Sequence, residues 1–480
     1  KYSLPDTVLF NMREWYDVYG KLVLEPYSKE KLKLRVEDEY IFEYLQHDER
    51  LESFWSENGC VVGDGSLLVP RGARGRVKQA LVKAGYPVKD VCGYAPGAPF
   101  EISLREVDLD GHPFQLRDYQ QDAVEAFYQA GRPTGGSGVI VLPCGSGKTI
   151  IGIGTMGRVS MHTLIIATNN VAVHQWRGEL ISKSHIHPGD IGEYTGLQKE
   201  IKPVTVTTYQ MLTHRQSRED DFEHLELFTD HDWGLIIYDE VHMLPAPVFR
   251  ATTEIQAKRR LGLTATLIRE DGKEDDVFAL IGPKRYDVPW KTLENRGYIA
   301  EAYCTEYRVP LPREVEVEYA HADKRARFRV AAENFAKIDL VDQLIANHPD
   351  DRILVIGFYI DQLESIAEAL DLPLITGKTK HEERQKLYAA FRQKKIRVLV
   401  LSKVANFAVD LPDASVMIQV SGTFGSRQEE AQRLGRILRP KKRRSHFYTL
   451  VSKGTREQDF SMKRQLFLVE QGYRYRIRYF

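Results

Sequence analysis

Pro143, Cys144, Gly145, Ser146, Gly147, Lys148 and Thr149 lie between an apolar run at 139–142 and another at 150–154. A loop of small residues joining a buried strand to a helix lets backbone N–H groups curl around phosphate oxygens. In such a loop Lys148 supplies a point charge to the β and γ phosphates, and the Thr149 hydroxyl can ligate Mg²⁺. The G-x-x-x-x-G-K-S/T pattern is incomplete, because Leu142 stands where its first glycine belongs. The chain is still expected to bind a nucleoside triphosphate, with Gly145, Ser146, Gly147, Lys148 and Thr149 around the phosphates.

Hydrolysis of the γ phosphate also needs a held metal, a positioned water and positive charge at the transition state. The run 233–238 ends in Asp239 and Glu240, two carboxylates at the carboxyl end of an apolar, strand-like segment. That is where ligands sit in open α/β sheets. Asp239 is the candidate to share Mg²⁺ with Thr149, and Glu240 to orient and deprotonate the attacking water. In an extended segment His242 would face the same side as Glu240 and could couple the nucleotide to a second lobe. Positive charge is offered by residues 432–439, with Gln432, Arg436 and Arg439 as catalytic candidates. Arg436 and Arg439 are spaced i, i+3, so a helix would aim both the same way, as arginine fingers. The basic run 441–444 either contacts nucleic-acid phosphates or is simply solvated.

These residues need a scaffold to bring them together. Short apolar runs at 163–167, 204–208 and 261–263 alternate with helix-length stretches, as a doubly wound sheet requires. The pattern restarts at 353–358, 372–376, 396–401, 416–420 and 447–451, without a second phosphate loop. The expected fold class is α/β, with two RecA-like doubly wound lobes at 112–290 and 291–480 and one nucleotide in their cleft. Residues 1–105 read as a small N-terminal α+β domain, helical at 39–45 and 76–84 and strand-like at 61–69. Residues 315–334 form a charged helical stretch carrying Lys324, Arg325, Arg327 and Arg329, either a solvated face or an insertion with a task.

Lys plus Arg and Asp plus Glu number 67 each, so no global field draws the chain to a polyanion and any nucleic-acid binding must be local. The 480 residues are 42% apolar, with no apolar run of about 18 or more and no cationic-then-apolar leader. A multidomain intracellular protein with no membrane segment is expected. The four cysteines form no C-x-x-C pair, which argues against a zinc ribbon, an iron–sulfur cluster or a disulfide framework. They are expected as reduced, mostly buried thiols.

Taken in order, L-R-D-Y-Q at 116–120, D-E-V-H at 239–242, T-A-T at 264–266 and the run 432–439 resemble superfamily 2 helicases. L-T-A-T-L-I-R-E-D at 263–271, I-G-P-K at 281–284, N-R-G-Y-I-A at 295–300, D-L-P at 410–412 and E-Q-G-Y at 470–473 narrow the resemblance to the XPB (xeroderma pigmentosum group B) family of DNA helicases. It runs from about residue 115 to 473. The resemblance implies an ATP-dependent 3′-to-5′ DNA helicase or double-strand DNA translocase in DNA repair, acting on duplex, fork or bubble DNA with ATP and Mg²⁺. It implies that Arg117 and Gln120 bind the nucleotide, Gln120 reading adenine. It implies that Thr264 and Thr266 couple hydrolysis to DNA, and that Arg269, Glu270 and Asp271 serve unwinding. The basic stretch 324–329 matches, by location, a thumb-like insertion at about 310–335, short here, and residues 1–105 match a damage-recognition domain. A prokaryotic-type member is implied: a monomer in the cytoplasm or nucleoid (the nucleus in a eukaryote), working beside a nuclease.

A motor that runs over any sequence should hold phosphates rather than base edges. Thr168, Asn169, Gln175, Thr207 and Thr208 follow strands of the first lobe and as a set could line such a track. Each alone is equally suited to cap a helix or turn. Two rival functions stay open: an RNA remodeller, and a nucleotide-dependent clamp or scaffold that recruits a nuclease.

Overall fold

A computed structural model describes residues 20–480 except 29, 64, 71–72, 87, 93–96, 133–134, 215–223, 225–226, 228–230, 245–256, 267–273, 325, 403–413 and 442. Alternating burial builds the first sheet. Strands β1 (Leu22–Pro26), β2 (Lys31–Val36), β3 (Val61–Gly63), β4 (Ser66–Pro70) and β5 (Lys89–Asp90) lie in the order β3-β4-β2-β1-β5. In β2 and β4 every second residue is buried, so Leu32, Leu34, Leu67 and Val69 meet apolar residues of the helices Glu39–His47, Glu49–Glu57 and Arg74–Lys83 in a separate small core. The stretch 61–69, expected as one strand, is a hairpin that turns at Gly65, whose φ is +67°.

Continuous apolar runs make strands buried on both faces, and such strands pair in parallel. Lobe one is built this way from β6 (Ser137–Val141), β7 (Thr163–Ala167), β8 (Ile191–Tyr194), β9 (Val204–Thr208), β10 (Leu235–Asp239), β11 (Arg259–Thr264) and β12 (Lys284–Asp287). The order β12-β6-β11-β10-β7-β9-β8 sets three functional strand ends side by side. Val141 pairs with Thr264, and Leu263 with Asp239, so the loop after β6, the end of β11 and the end of β10 share one edge. The segment leading into this lobe is stitched to it. The Phe100 N–H donates to the Ser160 carbonyl at 3.1 Å and the Arg105 N–H to the Lys183 carbonyl at 2.9 Å.

Lobe two repeats the architecture with β13 (Ala302–Val309), β14 (Ile353–Gly357), β15 (Leu374–Ile375), β16 (Val398–Ser402), β17 (Val416–Gln419), β18 (Ser445–Ser452) and β19 (Tyr475–Tyr479), all parallel, ordered β15-β16-β14-β17-β18-β13-β19. The charged stretch after β13 is two helices, Arg313–His321 and Ala326–Ala332, rather than one. A single buried apolar cluster runs from Ile140 and Ile165 of lobe one to Leu354 and Leu401 of lobe two. Among the described residues no helix is long and apolar enough to cross a membrane. All four cysteines are free thiols, and only Cys304 is fully buried, fewer than expected.

Candidate active site

Gly145 and Gly147 both sit at φ +80°, backbone that side-chain-bearing residues rarely adopt. A Cβ at Gly147 would also lie 2.6 Å from Gln120 Nε2. Gln120 braces this loop. Its Nε2 donates to the Ser146 carbonyl at 3.0 Å, and its Oε1 accepts from the Arg117 N–H at 3.0 Å. Tyr119, which sequence reasoning missed, donates its hydroxyl to the same Ser146 carbonyl at 2.5 Å. Arg117 reaches the connection between the lobes, donating to the Tyr298 carbonyl at 3.3 Å with its guanidinium over the Tyr298 ring. The helix Lys148–Val159 begins without a side-chain cap, so its first N–H groups point at whatever the loop holds.

Lys148 Nζ lies 3.6 Å from Glu240 Oε1 and 3.5 Å from the Leu142 carbonyl. Burial opposes its charge, but the carboxylates of Glu240 and Asp239 outweigh burial and hold the ammonium above the usual lysine range. The two acids are driven apart. Burial and the adjacent Glu240 charge push Asp239 up to about 6, against the Trp176 hydrogen bond and Lys148. Burial acts on Glu240 too, yet Lys148 and His242 favour its anion and it titrates below the usual glutamate range. An anionic Glu240 is the form that can accept a proton from water.

Trp176 Nε1 donates to Asp239 Oδ2 at 2.9 Å. Sequence reasoning missed this residue as well, since its partner lies 63 positions away. The Thr149 hydroxyl and Asp239 carboxylate are hard oxygen donors of the kind Mg²⁺ takes. The uncapped helix start, the glycine-lined loop and the oriented carboxylate together fit a Mg²⁺–nucleotide.

His242 reaches Glu240 by a different route from the one expected. The segment is not extended: Glu240 is left-handed at φ 47° and ψ 54°, and Val241–Met243 is a 3₁₀ turn. That turn, not strand alternation, brings His242 Nδ1 to 3.5 Å from Glu240 Oε2. His242 Nδ1 also lies 2.7 Å from Thr264 Oγ1, whose hydroxyl donates to the Thr266 carbonyl at 2.6 Å. With its one proton directed there, Thr264 accepts from the histidine, which fixes the Nδ1–H tautomer. Arg269, Glu270 and Asp271 lie outside the described residues.

Lobe two reaches this loop directly. A Cβ at Gly435 would fall 2.3 Å from Cys144 Cβ, and one at Gly145 would touch Arg439 at 3.4 Å. The charges of Arg436 and Arg439 are both felt at the Cys144 thiol, although burial dominates and raises it. The expected helix stops short of them, however. The helix Arg427–Gly435 ends before Arg436, which caps it, and Arg439 lies in the bend beyond. Past Gly435 the backbone continues in turns, with the Arg436, Ile437 and Leu438 N–H groups each donating to the carbonyl three residues back, and these turns carry both arginines. Gln432 is half-buried in that helix. Arg433 is buried within lobe two, donating to Gln419 Oε1 at 2.6 Å.

The candidate nucleic-acid residues divide. Asn169 caps the helix Asn170–Lys183, accepting from Ala172 N–H, and Thr208 caps Tyr209–Leu212, accepting from Met211 N–H. Thr207 is fully buried and donates to the Tyr194 carbonyl, which corrects its placement on a surface track. Thr168 is half-buried, and Gln175 is exposed. Arg327 donates to the Ala322 and Ala320 carbonyls, tying the two helices of the insertion together. Arg329 pairs with Glu333 and Asp361, Lys324 is exposed, and Arg325 lies outside the described residues.

Residues 293–478 match the family described as ERCC3/RAD25/XPB C-terminal helicase, and residues 113–269 match the type III restriction enzyme res subunit. The chain is 49% identical over 479 residues to a Kineococcus radiotolerans protein named DNA 3′-5′ helicase XPB, spanning 99% of this chain and 83% of that one. It is 47% identical over 480 residues to a Mycobacterium tuberculosis protein of the same name, spanning all of this chain and 85% of that one. Among solved structures, the helicase MrfA bound to DNA superposes with a TM-score of 0.55 at 16% identity, covering 79% of this chain and 54% of that one, a likeness of fold.

Proposed function

This chain belongs to the XPB family of superfamily 2 helicases, as a prokaryotic-type member, and from that premise we propose that it is an ATP-dependent 3′-to-5′ DNA helicase or double-strand DNA translocase of DNA repair. One observation carries the reading: Gly435 and Arg439 of lobe two lie against the phosphate loop of lobe one, with Arg436 next to Gly435 in the chain. An ATP site completed from both sides hydrolyses only when the lobes close, and closure is the stroke that moves DNA.

In this reading Gly145, Ser146 and Gly147 wrap the phosphates while Lys148 leaves Glu240 for the β and γ oxygens. Thr149 and Asp239 would hold Mg²⁺, which would supply neutralising charge to the phosphates. Glu240, freed of its lysine, orients the water and takes its proton, and Arg436 and Arg439 stabilise the charge that develops. The path Glu240, His242, Thr264 then passes the state of the nucleotide to the end of β11. Thr168, Asn169 and Gln175 beside that edge, and Lys324 of the insertion, are the proposed DNA contacts. The N-terminal domain would recognise damage. A monomer in the cytoplasm or nucleoid, partnered with a nuclease, completes the proposal.

ATP turnover with duplex DNA, single-stranded DNA and RNA tests this, alongside strand- and triplex-displacement. DNA-stimulated turnover with displacement supports a motor. Stimulation by RNA alone points to an RNA remodeller, and turnover with neither displacement product points to a clamp or scaffold.

A further inference from the structure

We propose a second nucleic-acid site in lobe two, a slot that stacks one unpaired nucleobase of a DNA strand against Phe424; it rests on the DNA-motor reading above. A cavity of about 670 Å³ lies at the opposite end of the helix Arg427–Gly435 from the ATP-facing arginines. Its walls are the connections that leave the carboxyl ends of β13, β14, β17 and β18, four adjacent strands of the sheet. That edge is where open α/β sheets bind ligands.

Phe424 is 58% exposed, whereas Phe328 behind it is 2% exposed. Their ring centroids are 4.5 Å apart, and Phe460 meets them edge-on at 5.0 and 5.7 Å. Phe424 is therefore braced from the protein side with an open face toward water. Lys324, Arg329 and Arg456 line the same cavity and are exposed, with no acidic residue in the lining. Arg329 is answered by Glu333 and Asp361, but neither Lys324 nor Arg456 forms an ion pair among the described residues.

An aromatic platform flanked by cations is the arrangement that holds a base and its neighbouring phosphates without reading sequence. Duplex bases already stack on both faces, so the occupant must be unpaired. Ser426 caps the helix that follows Phe424, and that helix ends at Arg436. One helix therefore joins the slot to the ATP cleft.

The test uses the full chain, an oligonucleotide with 2-aminopurine in a single-stranded overhang, and a blunt duplex. Phe424→Ala should weaken overhang binding about tenfold and abolish 2-aminopurine quenching, with duplex affinity held within about twofold, and Phe424→Trp should restore both losses. Unchanged overhang affinity and quenching in Phe424→Ala, or equal weakening on both substrates, overturns the slot. Failure of duplex DNA to stimulate ATP turnover in the unaltered chain would instead remove the motor reading beneath it.

Discussion

The indole N–H of Trp176 donates to Asp239 Oδ2 at 2.9 Å, from a ring that is 1% exposed. A Cβ at Gly152 would come within 2.6 Å of that ring, so Trp176 also packs directly on the helix that follows the phosphate loop. One side chain therefore fixes both the carboxylate proposed to hold Mg²⁺ and its distance from the loop. Trp176→Phe keeps most of the bulk and removes the donor. Half-maximal ATP turnover should then require about tenfold more Mg²⁺, with kcat recovering at saturation. A superimposable Mg²⁺ titration would remove Trp176 from the site.

Gly435 of lobe two packs on Cys144 of the phosphate loop, and glycine is required there because a Cβ would fall 2.3 Å from Cys144 Cβ. Gly435→Ala should wedge the arginines away from the loop, leaving ATP affinity near normal and lowering kcat about a hundredfold. Cys144→Gly in the same chain removes the atom it strikes and should recover much of that loss. Independent, additive effects of the two substitutions would contradict this packing.

Thr264 joins His242 to Thr266 through a single hydroxyl. Thr264→Val is close in shape but breaks these bonds and the one the hydroxyl accepts from the Thr266 N–H at 3.2 Å. ATP turnover should survive while strand displacement per ATP falls about tenfold or more, the size of a lost coupling between two sites. Parallel loss of both activities would place Thr264 in the chemistry itself.

Lys148 rests against Glu240 at 3.6 Å and should exchange that carboxylate for phosphate when nucleotide binds. Lys148→Ala should abolish turnover, measured by phosphate release, while DNA affinity in a filter-binding assay stays near normal. Weak DNA binding in that variant would mean that the loop also shapes the DNA surface.

The parts of this molecule dictated by burial were the parts legible in sequence. Strands β7 and β14 fall where apolar runs were expected, because central parallel strands are buried on both faces. β19 was not legible. It is an edge strand, Tyr475–Tyr479, with four of its five residues exposed, so burial imposes no pattern on it. β13 hides by another route, since its buried Glu306 accepts from Ser461 and Gln465 and reads as a polar break. At the site, residue type announced the phosphate loop and the Asp239–Glu240 pair, but not the backbone that aims them. Left-handed Glu240 and the helix end at Gly435 both replaced a regular periodicity by a turn. Asn169 and Thr208 cap helices, a use that draws on the same side-chain chemistry as phosphate contact, and spacing alone could not choose between them.

In the motor proposed above, lobe two completes the ATP site of lobe one. ATP-analogue affinity measured beside single-turnover hydrolysis in Arg436→Ala decides this. Nucleotide affinity should stay near normal and the hydrolysis rate should fall about a thousandfold, the scale of a lost arginine finger. Hydrolysis at the unaltered rate in that variant would contradict it.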